Sequence, residues 1–187
     1  MHAELGPITF HPKRGLRRLN IRVLPFKGVL ISFPPHTRAK ALQHFVEERQ
    51  EWILAALERS QRTERKSIEF WRQTASVPER DIREHLSHRI QRLAEAHGFS
   101  FNRLSFRTQK SRWGSCSHHN NISLNKLIYF LPSHLQDYIL IHELAHTREK
   151  NHSGKFWQIL FQILGEQHTR ECRSELKNYE HLFYKPV

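Results

Sequence analysis

The chain is poor in cysteine, glycine and carboxylates, and each shortage excludes something. Two cysteines, Cys116 and Cys172, in 187 residues form no disulfide framework, so the fold rests on a packed core and a reducing, cytoplasmic compartment is expected. With seven glycines there is no P-loop or other Gly-rich phosphate cradle. No stretch approaches the ~18 consecutive apolar residues of a membrane span. The opening "MHAELGPITFHPKRGLRRL" holds no continuous apolar segment, so neither a membrane partner nor a secretory signal is expected. Acid is scarce: 18 Asp and Glu oppose 30 Lys and Arg, for a formal charge of +12 and a pI near 10.2. Such a field attracts polyanions, whether nucleic acid, nucleotides or acidic proteins, and it speaks to association rather than to fold.

What remains is ample for a core, since 38% of residues are hydrophobic and 11% aromatic. "RRLNIRVL" alternates Leu19, Ile21 and Val23 with Arg18, Asn20 and Arg22, the period of a half-buried strand. "PFKG" turns the chain, "VLISF" returns, and Pro34-Pro35 ends the pair. Residues 36 to about 60 carry a helical apolar stripe through Leu42, Phe45, Val46, Ile53 and Ala56. The charged "SQRTERKS" that follows is expected to be a mobile connection. A second helix is predicted from Pro78 to His97, with Gly98 as its stop. Residues 100–131 read as extended, including all of "ISLNKLIYFL". Then "LPSHLQDYILIHELAHTREK" reads as a strong helix, opened by a capping box of Ser133 and Gln136. Further helices are expected over 153–164, stopped by Gly165, and over about 169–180. Strands, helices, strands, helices make an α+β fold. We expect a single domain over 1–187, with N-terminal strands and a helix at 8–60 and a core at about 78–180.

The chemistry concentrates in "HELAHTREKNHSGKFW", residues 142–157. On a helix His142 and His146 lie one turn apart on one face, so both imidazoles can reach one ion. Glu143 is the residue that such sites use as a general base toward a bound water. In a chain with 15 histidines the five-residue pattern arises by chance about 0.1 times. Requiring His152, ten residues after His142 and at the spacing of a third ligand, lowers that to about 0.01. Three His ligands plus an open position define a catalytic zinc site, so one Zn²⁺ on His142, His146 and His152 is expected. The longer motif has glycine where this chain has Glu149, a poor residue for φ > 0. We therefore expect the helix to run to Glu149 or Lys150 and the turn to fall at Lys150-Asn151. A different third ligand, Glu166, Glu171 or Glu175 (His168 less readily), is the alternative.

Around this motif, "QKSRWGSCS" offers Lys110 and Arg112 to an anionic substrate group or a developing oxyanion. Gly114 permits a close backbone approach, while Trp113 and Cys116 read as packing residues. Tyr138, four residues before His142, could donate a hydrogen bond near the metal. Asn125 is expected to brace backbone, and His118 and His119 to sit at the surface. Lys13, Arg14, Arg17, Arg18 and Arg22 cluster early and form either a positive patch or a merely solvated face.

Together "RRLNIRV", "FVEERQEWI", "QKSRWGSCS", "ISLNKLIYFLP", "YILIHELAH" and "NHSGKFW" resemble the YgjP-like metallopeptidase domain, a zincin-group family related to SprT-like and WLM domains. The resemblance runs from about Arg17 to Tyr179. It implies a zincin-like core with an active-site helix, flanking helices and a small antiparallel or mixed sheet. It also implies zinc on His142, His146 and His152 with Glu143 as catalytic acid/base, and leaves the substrate open. Three functions follow. One is a zinc peptidase acting on protein or peptide. The second is a zinc-dependent phosphoanhydride hydrolase acting on nucleoside triphosphates, as the charge allows. The third is a DNA-associated protease or a non-catalytic nucleic-acid-binding zinc module.

Overall fold

The computed structural model describes residues 5–74 and 76–186. Packing divides the chain into two compact units, residues 1–73 with 184–187 and residues 74–183.

The first unit contains strands β1 (Ile8–Pro12), β2 (Asn20–Leu24) and β3 (Gly28–Phe33) and helices α1 (Ala39–Glu47) and α2 (Gln50–Thr74). Its sheet has the order β1-β3-β2, β3 pairing parallel with β1 and antiparallel with β2. The alternation read from the sequence fixes the face: Ile21 and Val23 pack with Ile8 and Phe33 against a core of Val29, Ile31, Val46 and Ile53. The helix expected over 36–60 is two helices, broken at Glu48-Arg49. The expected mobile connection "SQRTERKS" lies inside α2. Its polar side chains find partners within the helix: Ser60 Oγ bonds Glu64 (3.2 Å) and Thr63 Oγ donates to the Arg59 carbonyl (3.0 Å). Glu64 also accepts from the Phe26 amide at 2.8 Å, which gives this polar stretch a tertiary role.

The second unit begins with α3 (Glu79–His97), entered through Pro78 and closed by Gly98 in the left-handed region at φ 64°. Strands β4 (Arg103–Arg107), β5 (Gly114–Cys116) and β6 (Asn121–Asn125) form a mixed sheet of order β4-β6-β5. The strand expected to run through "ISLNKLIYFL" stops at Asn125. The Asn125 side chain accepts from the Leu127 amide and starts a 3-10 turn, Lys126–Phe130. Helices α4 (Ser133–Ala145), α5 (Gly154–Leu164) and α6 (Glu166–Glu175) follow, with a final 3-10 segment, Leu176–Phe183. The capping box is absent. Buried Gln136 instead donates to the carbonyls of Tyr129 (3.0 Å) and Leu131 (2.8 Å) and bonds His85, which fixes the entry to α4 from the preceding turn. α4 is buried on nearly every side, through Leu135, Ile139, Leu140, Ile141 and Leu144. A helix placed at the centre of a core is a rigid mount for side chains at its end. The fold is α+β with two small mixed sheets. Among the described residues, no helix is long and apolar enough to cross a membrane.

Candidate metal centre

α4 ends at Ala145 rather than at Glu149 or Lys150. The chain leaves through tight turns in which the amides of Thr147, Arg148 and Glu149 bond back to Leu144 and Ala145. Among the described non-glycine residues only Phe26 and Asn120 have positive φ, so the expected left-handed turn at Lys150-Asn151 does not form. A succession of right-handed turns needs no glycine, which is why Glu149 is tolerated. Ser153 then caps α5, its hydroxyl accepting from the Phe156 amide.

The exit brings three imidazoles together. The ligand atoms of His142, His146 and His152 all lie within 4.8 Å of one another. The Nε2 atoms of His142 and His152 are 3.0 Å apart. The alternative third ligands stay outside: Glu166 is taken by Arg170, Glu171 by Gln167 and Glu175 by His134. Buried Phe156 forms the floor, its ring 4.9, 4.5 and 4.7 Å from the three imidazoles. His146 Nδ1 lies 3.0 Å from the Glu149 carbonyl. A carbonyl only accepts, so Nδ1 carries the proton and Nε2 keeps its lone pair. Burial pushes His142 down to about 3, and the neighbouring His146 and His152 act in the same direction. Burial also lowers His146. Neutral, convergent imidazoles are the donor set that a borderline-soft divalent cation takes.

Glu143 points into the same cleft. It is 5% exposed, and its Oε2 is buried with no hydrogen-bond partner. Burial pushes its carboxyl up to about 8, against the pull of the Arg112 guanidinium. An orphaned carboxylate oxygen in the cleft that His142 and His152 also line is costly in a bare fold, and it fits a site that holds a cation and a proton donor. Gly114 lies directly against it: a Cβ there would stand 2.7 Å from the Glu143 Cγ, Cδ and Oε1 atoms. The close approach expected of this glycine is therefore made to the Glu143 side chain.

The cleft encloses about 560 Å³ and is lined by Arg112, Gly114, Tyr138, His142, Glu143, His152, Trp157 and Arg173, among others. Tyr138 is 4% exposed, its ring 6.1 Å from that of His142, and burial pushes its hydroxyl up to about 12. Lys110 is exposed and is not among the lining residues. Trp113 packs on Phe183 at 4.5 Å. Burial raises the Cys116 thiol against the opposing effect of Lys150, so this cysteine is not primed as a nucleophile. Asn125 braces backbone as expected, donating to the carbonyls of Gln109 (2.9 Å) and Arg112 (3.0 Å). Arg173 was missed. It reaches the cleft from α6 inside "RECRSE", where nothing marks one cation among ordinary helix-surface charges.

The sequence profile of the YgjP-like metallopeptidase domain matches residues 71–179. The chain belongs to the YgjP-like metallopeptidase family. The matched span covers α3, β4, β5, β6 and every lining residue of the cleft, and the family implies a metal cofactor and peptide or protein substrates. Among solved structures, the chain is similar to the metallopeptidase zymogen abylysin of Pyrococcus abyssi. The two share 22% identity over 55% of this chain and 99% of that one, with a TM-score of 0.47. The zymogen jannalysin of Methanocaldococcus jannaschii is 20% identical over 50% of this chain and 95% of that one, with a TM-score of 0.46. No curated protein matches.

Proposed function

We propose that this YgjP-like domain is a zinc-dependent peptidase in which His142, His146 and His152 hold the ion and Glu143 moves the proton. The observation that carries the reading is the cluster of three imidazole donors within 4.8 Å of one another, two of which, His142 and His152, line one cleft with Glu143 and its unpartnered carboxylate oxygen. Zinc, when bound, supplies Lewis acidity that makes water nucleophilic near neutral pH and polarises a carbonyl. Glu143 takes the proton from the attacking water. It then passes that proton to the leaving amine nitrogen as the C–N bond breaks, so its carboxylate is regenerated. A carboxyl raised by burial suits both halves of this cycle. Tyr138 and Arg112 line the cleft as donors to the developing oxyanion. β5 is an edge strand of three residues, and its free backbone groups can pair with an extended peptide and hold it across the cleft. The two free thiols favour action in the reducing cytoplasm.

The test is metal analysis with a peptide-library assay on wild type and Glu143→Gln. The variant should keep one zinc per chain and lose about 10²–10⁴-fold in turnover, the usual contribution of a general acid/base. Full activity in the variant would end this mechanism.

One observation favours a second reading, hydrolysis of a phosphoanhydride such as a nucleoside triphosphate. Arg112 also lines a neighbouring cleft of about 590 Å³ with Arg107, Gln109 and five serines, and no carboxylate. Gln109 Oε1 and Ser123 Oγ are buried there without partners. Zinc-dependent phosphate or pyrophosphate release from nucleotides, with peptides left intact, would establish this reading over the first.

A further inference from the structure

The positive charge is not spread evenly. Residues 5–46 contain eight Lys and Arg and no Asp or Glu. All eight are exposed, and none takes part in an ion pair among the described residues. Elsewhere several surface cations are matched one turn away along a helix, as in Arg62–Glu58 (3.7 Å) and Arg83–Glu79 (2.5 Å). A run of uncompensated cations repels itself and costs stability unless an anion covers it.

Three of these cations, Arg17, Arg18 and Arg22, adjoin in sequence the residues that line a groove. β2 is an edge strand, and between it and the break separating α1 from α2 lies a cavity of about 640 Å³. Leu19, Asn20 and Ile21 line one wall, and Phe45, Arg49 and Trp52 the other. Arg17 and Arg18 directly precede the first wall, and exposed Arg22 follows it. Trp52 is 49% exposed. The Arg49 guanidinium lies over the Phe45 ring, 4.2 Å from its centroid. The carboxylate in the groove, Glu48, is already paired with Arg49 (3.2 Å) and His44 (3.4 Å).

We propose that this groove binds single-stranded nucleic acid. The exposed indole of Trp52 stands beside an arginine-covered Phe45 ring and among cations, and an open aromatic face beside positive charge is what unstacked bases and their phosphates require. An acidic peptide would satisfy the cations and leave the indole without a partner. A duplex keeps its base faces covered, so the aromatic wall would gain nothing from it.

The test uses the full chain, treated with chelator so that metal chemistry plays no part, and fluorescein-labelled oligo-dT and oligo-U of about 20 nucleotides, a length that spans one such site. Anisotropy titrations across salt should give a slope of log K on log salt near −3, for about four phosphates neutralised at ~0.7 each. Trp52→Ala should weaken binding about tenfold with the slope unchanged, and Trp52→Phe should restore most of it. Arg17→Glu/Arg18→Glu should weaken binding and flatten the slope. Lys155→Glu/Lys177→Glu, which makes the same charge change in the other unit, should leave affinity within about threefold. The proposal is overturned if the control pair loses as much as the arginine pair, if Trp52→Ala binds like wild type, or if duplex DNA or polyglutamate binds as tightly as oligo-dT. Comparison of the two oligomers distinguishes DNA from RNA as the source.

Discussion

Replacing Gly114 with alanine probes how the proposed base is held. The new Cβ would lie 2.7 Å from three atoms of Glu143, whereas carbon atoms rest at about 3.5–4.0 Å. The Glu143 side chain must therefore retreat by about 1 Å, because the other atoms at the contact belong to the β5 backbone. The backbone itself does not resist alanine: Gly114 is not among the glycines with positive φ. Overpacking of this kind costs about 1–3 kcal/mol of stability, and a 1 Å misplacement of a reacting group costs about 10²-fold in rate. Gly114 is not in the histidine cluster, so the Gly114→Ala protein should still carry one zinc. Measured together, metal content, melting temperature and kcat/KM should show zinc retained, modest destabilisation and turnover about 100-fold down. Shortening the side chain in the double variant Gly114→Ala/Glu143→Asp should make the two losses non-additive, because the clash is relieved. Undiminished turnover in Gly114→Ala would refute the idea that Glu143 must stand where the structure has it.

Three further outcomes follow from the same geometry. In the metal-free protein, Glu143 is raised from 4.5 to about 8 and His142 lowered from 6.5 to about 3. A raised carboxyl makes stability fall as pH rises from 4.5 to 8, and a lowered imidazole makes it fall as pH drops from 6.5 to 3. The slopes oppose between 4.5 and 6.5, so melting temperature in chelator should peak there. It should decline above 6.5, and Glu143→Gln should abolish that decline; a rise toward pH 8 in wild type contradicts the assignment. His146→Ala should lose the metal and, with it, the stabilisation that zinc gives wild type, seen as a melting temperature that no longer responds to added zinc. Asn125→Ala removes hydrogen bonds to Gln109, Arg112 and Leu127 from a side chain with no exposure. It should cost about 2–4 kcal/mol by chemical denaturation, and a loss below about 0.5 kcal/mol would mean that the loop is held by other contacts.

Much of the arrangement was legible because the relevant physics is local. One helical turn places His142 and His146 together, Gly98 and Gly165 stop their helices, and the alternation of Leu19, Ile21 and Val23 marks a strand. What escaped the sequence depended on tertiary partners. "SQRTERKS" looks like a linker until Glu64 is seen to bond the Phe26 amide. Ser133 and Gln136 spell a capping box, but the Gln136 side chain is claimed by carbonyls upstream. The helix ends at Ala145, short of the turn expected at Lys150-Asn151, because tight right-handed turns reach the same exit without any residue at φ > 0. Arg173 carries no local signal and enters the cleft solely through the packing of α6.

The five residues between His146 and His152 are moored from outside. Arg148 donates to the carbonyls of His97 (3.1 Å) and Gly98 (2.6 Å) and covers the Phe99 ring. Lys150 donates to the Ser117 carbonyl (2.8 Å) and to Asn120 Oδ1 (2.5 Å). The third histidine is thus brought to the other two while the protein folds, and the conformational entropy of that loop is spent before any ion arrives. Metal uptake then has little left to order. The length of the loop is fixed by two moorings that an inserted residue would tear loose.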